Sequence, residues 1–128
     1  MKAQISLEFI TFVGILLFIT ALASFIAFNN ISDMYQNSID RDARSVAKLV
    51  ATEINIATEA GTGYSHKFSL PHLLYGEKNY SLNTTNQDLY IFWPSKSYFL
   101  PILAYNVTGQ PQHGLNTIKN INGAIIFE

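Results

Sequence analysis

Three histidines, His66, His72 and His113, have the widest chemical repertoire in this chain, yet their spacings match no ligand pair on a helix or tight turn. No cysteine is present, which excludes thiolate catalysis, disulfide scaffolds and CxxC metal sites. Serine, histidine and aspartate all occur, but none stands in a GxSxG elbow or another nucleophile context. These residues therefore point to no catalytic residue, no metal and no cofactor, and the expectation is a protein that is not an enzyme. Four triplets carry modification chemistry instead. Asn30-Ile31-Ser32, Asn79-Tyr80-Ser81, Asn83-Thr84-Thr85 and Asn106-Val107-Thr108 are acceptor sequons for N-glycosylation. Asn79 and Asn83 lie near a turn and lead the four, whereas Asn30 adjoins an apolar run and ranks last. The remaining pointed residue is Glu8, a carboxylate at the entrance to that run.

The run itself, Phe9 to Phe28, carries no charge. Twenty helical residues at about 1.5 Å each reach about 30 Å, the thickness of a bilayer core. A chain of 128 residues offers too little other apolar material to surround such a helix, so a membrane span is expected. Lys2 and the initiator amine are the positive charges on the short side, which favours a cytoplasmic amino terminus with residue 29 onward outside. An ordinary secretory signal has a shorter apolar core and a cleavage site after it. Here the run is too long, the basic region is minimal, and Asn29 to Ala60 continues without proline or glycine. Charged residues make up 13% of the chain and the formal net charge is −1, so no basic surface exists to hold nucleic acid.

The residues before the run carry a resemblance. Lys2-Ala3-Gln4-Ile5-Ser6-Leu7-Glu8-Phe9 resembles the class III signal peptide of archaeal type IV pilin-like proteins, in which a basic and a small residue precede Q-x-S-x-E-x-x-x-L and a hydrophobic helix. Gln4, Ser6 and Glu8 match, and Phe12 stands where the pattern has leucine. The resemblance covers only the start of the chain. It implies removal of residues 1–3 on the cytoplasmic side by a prepilin-type signal peptidase, with Lys2, Ala3 and Gln4 forming the processing site. Glu8 would then be the fifth mature residue, where type IV pilins carry a glutamate that pairs with a neighbouring subunit's amino terminus. An ionised carboxylate among apolar helices costs roughly 2.5–3.5 kcal/mol at mid-membrane, so a freshly exposed amine is a fitting partner. Cyclisation of Gln4 would remove that charge and leave Glu8 to the amide, the Ser6 hydroxyl or a protonated state. Near a helix amino end the macrodipole also favours an anion. The glycine-rich stretch of archaellins is missing, which favours an adhesion-type pilin over a motility subunit.

Beyond the span, Ile31, Tyr35, Ile39, Ala43, Val46, Val50, Ile54 and Ala57 recur in steps of three and four, one stripe of an amphipathic helix. Asp40 and Arg44 stand four apart, the spacing of an exposed ion pair contributing about 0.3–0.5 kcal/mol. Gly61-Thr62-Gly63 stops the helix. Short segments rich in aromatic and branched residues follow: Tyr64 to Leu70, Asn79 to Leu82, Asp88 to Trp93, Tyr98 to Val107 and Ala124 to Phe127. Turn chemistry between them reads as an antiparallel meander, with Pro101 marking a bulge or edge. About 65 residues make a marginal domain alone, so the stripe is expected to complete its core.

The expected fold is α+β, with a long helix over residues 4–60 and a small antiparallel head over 61–128. Within that helix, 9–28 is the membrane or filament-core part and 29–60 an amphipathic stalk. The expected function is structural: a single-pass membrane precursor with cytoplasmic amino terminus that becomes a subunit of an extracellular, glycosylated, adhesive pilus-like filament. Its partners would be further copies or other pilins, the signal peptidase, the pilus assembly machinery and, before assembly, the membrane. The alternatives are a minor pilin or pseudopilin and a membrane-anchored, non-polymerising binding module.

Overall fold

The structure, a computed structural model, describes residues 2–85, 87–94 and 96–128, with side chains from Ser6 onward. Among the described residues, one helix and seven strands follow in chain order: α1 (Lys2–Ala60), β1 (Ser65–Leu70), β2 (Ser81–Thr84), β3 (Asp88–Trp93), β4 (Lys96–Pro101), β5 (Val107–Thr108), β6 (Gly114–Ile121) and β7 (Ala124–Phe127). The chain is α+β, a long amino-terminal helix followed by a small, mainly antiparallel head. It forms two units, Met1–Asn37 and Ser38–Glu128. The second therefore begins inside α1 rather than at the glycines where the hydrophobic period changes.

The reason lies in the stripe. Ile39, Ala43, Val46, Val50, Ile54 and Ala57 are all buried, and Ala47 and Ala51 beside them are buried too. Alanines on this face let the backbone of α1 lie close to what covers it. The stripe does not extend to its first predicted member, because Ile31 is exposed. Gly61 ends the helix with φ of 79°, the left-handed conformation that a carboxy-terminal cap requires and that only glycine adopts without a Cβ penalty.

Two sheets carry the strands. One has the order β1-β6-β7-β5 and the other β2-β3-β4. The second is a meander as expected, but the first is not. β1 pairs with β6 across an intervening stretch of more than forty residues, and β5 pairs with β7 in parallel. Two predicted strands also shift, and one strand was not predicted. The segment expected from Tyr98 to Val107 ends at Pro101, which has no N–H to continue the ladder, and re-forms only at β5. The segment expected at Asn79 to Leu82 sits two residues later. β6 escapes the sequence reading altogether. Its buried positions are Asn116, Ile118 and Asn120, while Leu115 and Ile121 face outward, so the apolar alternation that signals a strand is scrambled. The Asn122-Gly123 turn between β6 and β7 is where the sequence places it, both residues having positive φ.

The two buried asparagines explain why polarity is tolerated there. Asn120 donates from Nδ2 to the Ala57 carbonyl at 2.8 Å, and its Oδ1 accepts from Gly123 N–H at 3.0 Å. It thus satisfies a carbonyl of the last helical turn and fixes the β6–β7 turn with one side chain. Asn116 binds the Gln112 N–H and carbonyl at 2.8 and 2.7 Å, supplying the partners that an adjacent strand would provide.

Polar contacts tie α1 to both sheets within the second unit. Asp40 turns to the strands rather than to Arg44, accepting from Trp93 Nε1 at 3.1 Å and pairing with Lys96. The Arg44 guanidinium lies over the Tyr98 ring, 5.2 Å from its centroid. Asp42 accepts from Tyr75 N–H at 2.6 Å, and Asn55 from Leu103 N–H at 2.8 Å. Glu53 lies 2.9 Å from His66 Nδ1. The Lys96 hydrogen bond, foremost, together with that from Trp93 and the nearby positive charges, holds the Asp40 carboxyl below its ordinary range against the opposing effect of burial.

Burying Ile39, Val46, Val50 and Ile54 at about 1.5–3 kcal/mol each contributes about 6–12 kcal/mol, comparable with the whole stability of a small domain. A fragment spanning 38–128 should therefore unfold in one cooperative transition, whereas a fragment spanning 61–128 should show none by circular dichroism on heating. Cooperative unfolding of the shorter fragment would remove the stripe from the core. Asp40→Asn should destabilise the longer fragment by on the order of 1 kcal/mol near neutral pH. Because the folded-state pKa is depressed, that contribution is complete above the unfolded value of about 4 and is lost as pH falls through the folded one. The stabilities of parent and variant should converge as pH is lowered below that unfolded value, and a constant gap would deny the ion pair a role.

Candidate functional site: the exposed apolar helix and the head surface

Every residue from Ser6 to Met34 is exposed, including the phenylalanines at 9, 12, 18, 25 and 28. A helix apolar on all sides and covered on none has no stable existence in water, because contiguous exposed apolar surface of this extent drives association or membrane entry. The segment is long and apolar enough to cross a membrane. Its few polar side chains agree with that environment. The hydroxyls of Thr11, Thr20 and Ser24 each donate to the carbonyl one turn back, on Leu7, Leu16 and Thr20, at 2.9, 2.8 and 2.9 Å. No hydroxyl proton among these three needs a partner from solvent, which hydrocarbon cannot supply. Gly14 has open space around its Cα, so neighbouring helices can approach closely there.

Glu8 is helical and exposed, and no charged residue follows it before Asp33. The side chains of Lys2, Ala3 and Gln4 lie outside the described residues, where only helical backbone is defined.

The histidines do not converge. His66 sits by Glu53, while His113 packs on Tyr80 with ring centroids 4.5 Å apart and lies 6.4 Å from His72. Among the described residues no three histidine or carboxylate side chains come together as a cation site. His113 Nε2 is 2.9 Å from the Tyr80 carbonyl, and the Tyr80 hydroxyl donates to the Pro71 carbonyl. Burial, reinforced by the negative charge of Asp42, pushes the Tyr80 phenol up to about 12, so it stays a proton donor at every physiological pH. This cluster pins the loop between β1 and β2.

All four sequon asparagines are exposed: Asn30 on α1, Asn79 just before β2, Asn83 within β2 and Asn106 just before β5. The aromatic residues divide. Trp93 is buried, whereas Phe92, Phe99 and Tyr105 are exposed and Tyr90 is half-buried. Tyr90, Phe92 and Phe99 share the outer face of β2-β3-β4, Tyr90 lying 6.2 Å from Phe92 and 6.0 Å from Phe99 between centroids. Sequence reading missed this platform because Leu89 to Trp93 is apolar on both faces, so period two cannot say which side is inward.

Comparisons with protein-family models, with curated proteins and with solved structures find no match for this chain.

Replacing both Leu17 and Phe18 by arginine puts two charges at the middle of the apolar run, each costing roughly 2.5–3.5 kcal/mol on insertion scales. The double variant should shift from the alkali-resistant membrane fraction to the extractable fraction. Full retention after alkaline extraction would show that this segment is not the membrane anchor.

Proposed function

We propose that this chain is a structural subunit of an extracellular type IV pilus-like filament, made as a single-pass membrane precursor and assembled through the apolar part of α1. The observation that carries the proposal is the uncharged helical run from Phe9 to Phe28, apolar around the helix and exposed at every position. Lipid covers such a surface in a membrane, and only equivalent helices from other subunits cover it outside one. At about 25 cal/mol per Å² that replacement supports strong association, and a head-to-tail contact that does not close yields an open helical polymer. The Gln4, Ser6 and Glu8 pattern supports processing between Ala3 and Gln4 by a prepilin-type peptidase, which retains the helix on the mature subunit. In this reading Glu8 pairs with the amino terminus of a neighbour, and the head faces outward for attachment. The subunit itself performs no catalysis.

Protein from native cells, divided into membranes and sheared extracellular material, tests the reading. The sheared fraction should be enriched in a chain beginning at Gln4, and Glu8→Ala should reduce filament yield by at least tenfold while membrane insertion stays normal. Normal filament yield from the variant would end the pairing role of Glu8. A chain beginning at Met1 and confined to membranes would favour the anchored, non-polymerising binding module.

A further inference from the structure

The outer face of β2-β3-β4 holds a juxtaposition that the filament role does not use. Asn83 on β2 is directly opposite Tyr90 on β3, and Tyr90 is directly opposite Phe99 on β4. Opposed residues on antiparallel strands share a face, with Cβ atoms about 4.5–5.5 Å apart. An exposed asparagine, a tyrosine and an exposed phenylalanine thus form one row across the sheet, with Phe92 beside it. Asn83 also opens the sequon Asn83-Thr84-Thr85, whose third residue is exposed in the β2–β3 turn. The outer rim of β2 is closed by Gln110, which bonds the Thr84 N–H at 2.6 Å and the Thr84 carbonyl at 3.2 Å. That contact ties the end of β2 to the segment after β5, and the register opposite Tyr90 places Asn83 on the aromatic face.

We propose that Asn83 carries an N-linked oligosaccharide whose proximal sugars lie across Tyr90 and Phe99. In the transfer, Asn83 Nδ2 bonds to the anomeric carbon of a polyprenyl-phosphate-linked oligosaccharide. The anomeric C–O bond breaks with its electron pair leaving on the phosphate, and one amide proton is lost to the transferase's base. The C–H faces of the sugars cover the ring faces while their hydroxyls stay in water, so aromatic surface is masked without another protein. Phe99 lies two strand spacings from Asn83, roughly 9–10 Å, within reach of the first sugars. Tethering keeps those sugars at high effective concentration over the rings, so weak stacking is enough. Among the described residues, Asn30, Asn79 and Asn106 lie outside the strand ladders and have no aromatic residue opposite them there. The inference rests on the proposed function only in placing the head outside the cell.

The test uses full-length protein from native cells, dissociated in detergent so that no second copy covers the face. Peptide mass should show an oligosaccharide on Asn83. Hydroxyl-radical labelling of Tyr90 and Phe99 should be at least threefold slower in this protein than in Asn83→Gln. Phe99→Ser should lower Tm by about 3–6 °C in the glycosylated protein and by clearly less in the Asn83→Gln background. Should Asn83→Gln misfold, Thr85→Ala removes the sequon from another position, with Thr85→Ser as the glycosylated control. An unmodified Asn83, equal labelling with and without the glycan, or additive Tm changes would each overturn the proposal. A glycan on Asn83 of a membrane-confined chain beginning at Met1 would preserve it while sinking the filament reading. A chain beginning at Gln4 in sheared filaments with bare Asn83 would do the reverse.

Discussion

The burial of one helical stripe, Ile39 to Ala57, is the constraint on which the second unit depends. The strands alone cannot enclose a core of their own, because the two sheets have three and four strands, several of them very short. The helix supplies the missing wall. Once it does, the inward residues of both sheets have a common surface to cover, and the polar contacts of Asp40, Asp42, Glu53 and Asn55 fall along the edges of that surface. Those contacts add less than the apolar burial. Their role is to set the register of strands and loops against the helix, since each has partners fixed in direction.

The same helix obeys the opposite rule before Asn37. From Phe9 to Phe28 apolar residues occupy every face, and each of these positions is exposed. A side chain that is satisfied inside its own protein and one that must be satisfied by another phase or another copy are distinguished by pattern alone. A one-sided stripe can be covered from one direction, and an all-round apolar surface cannot. The hydroxyls of Thr11, Thr20 and Ser24 bonded back along the helix complete the contrast, for they remove the remaining demand for water.

Polar groups in the head follow a comparable economy. Asn116 and Asn120 occupy positions where a strand normally carries apolar side chains, and each serves backbone groups that have no ladder partner. Their burial is tolerable because they are satisfied, and it joins the end of α1 to the β6–β7 turn. Gln110 plays the same part at the rim of β2, where an open edge would otherwise offer a template for pairing with another chain.

The amino-acid sequence by itself determined the long helix, its division into an all-round apolar part and a one-sided part, its stop at Gly61, and the turn at Asn122-Gly123. Each of these depends on local properties: charge absence, a period of 3.6, and backbone conformations that only a few residues adopt. It also marked Glu8 and the sequons, because their signals are short and contiguous. Tertiary structure alone decided the rest. The β1–β6 pairing and the parallel β5–β7 pair join residues far apart in the chain, and no local pattern encodes such a choice. β6 was hidden because its inward asparagines are justified by backbone groups on α1 and in neighbouring turns, which become neighbours only on folding. Asp40 looked like half of a helix ion pair until the strands brought Trp93 and Lys96 to it. Asn83 and Tyr90 became opposed residues only when the strand register set them there, since side-chain proximity across a sheet is a property of pairing and not of sequence distance.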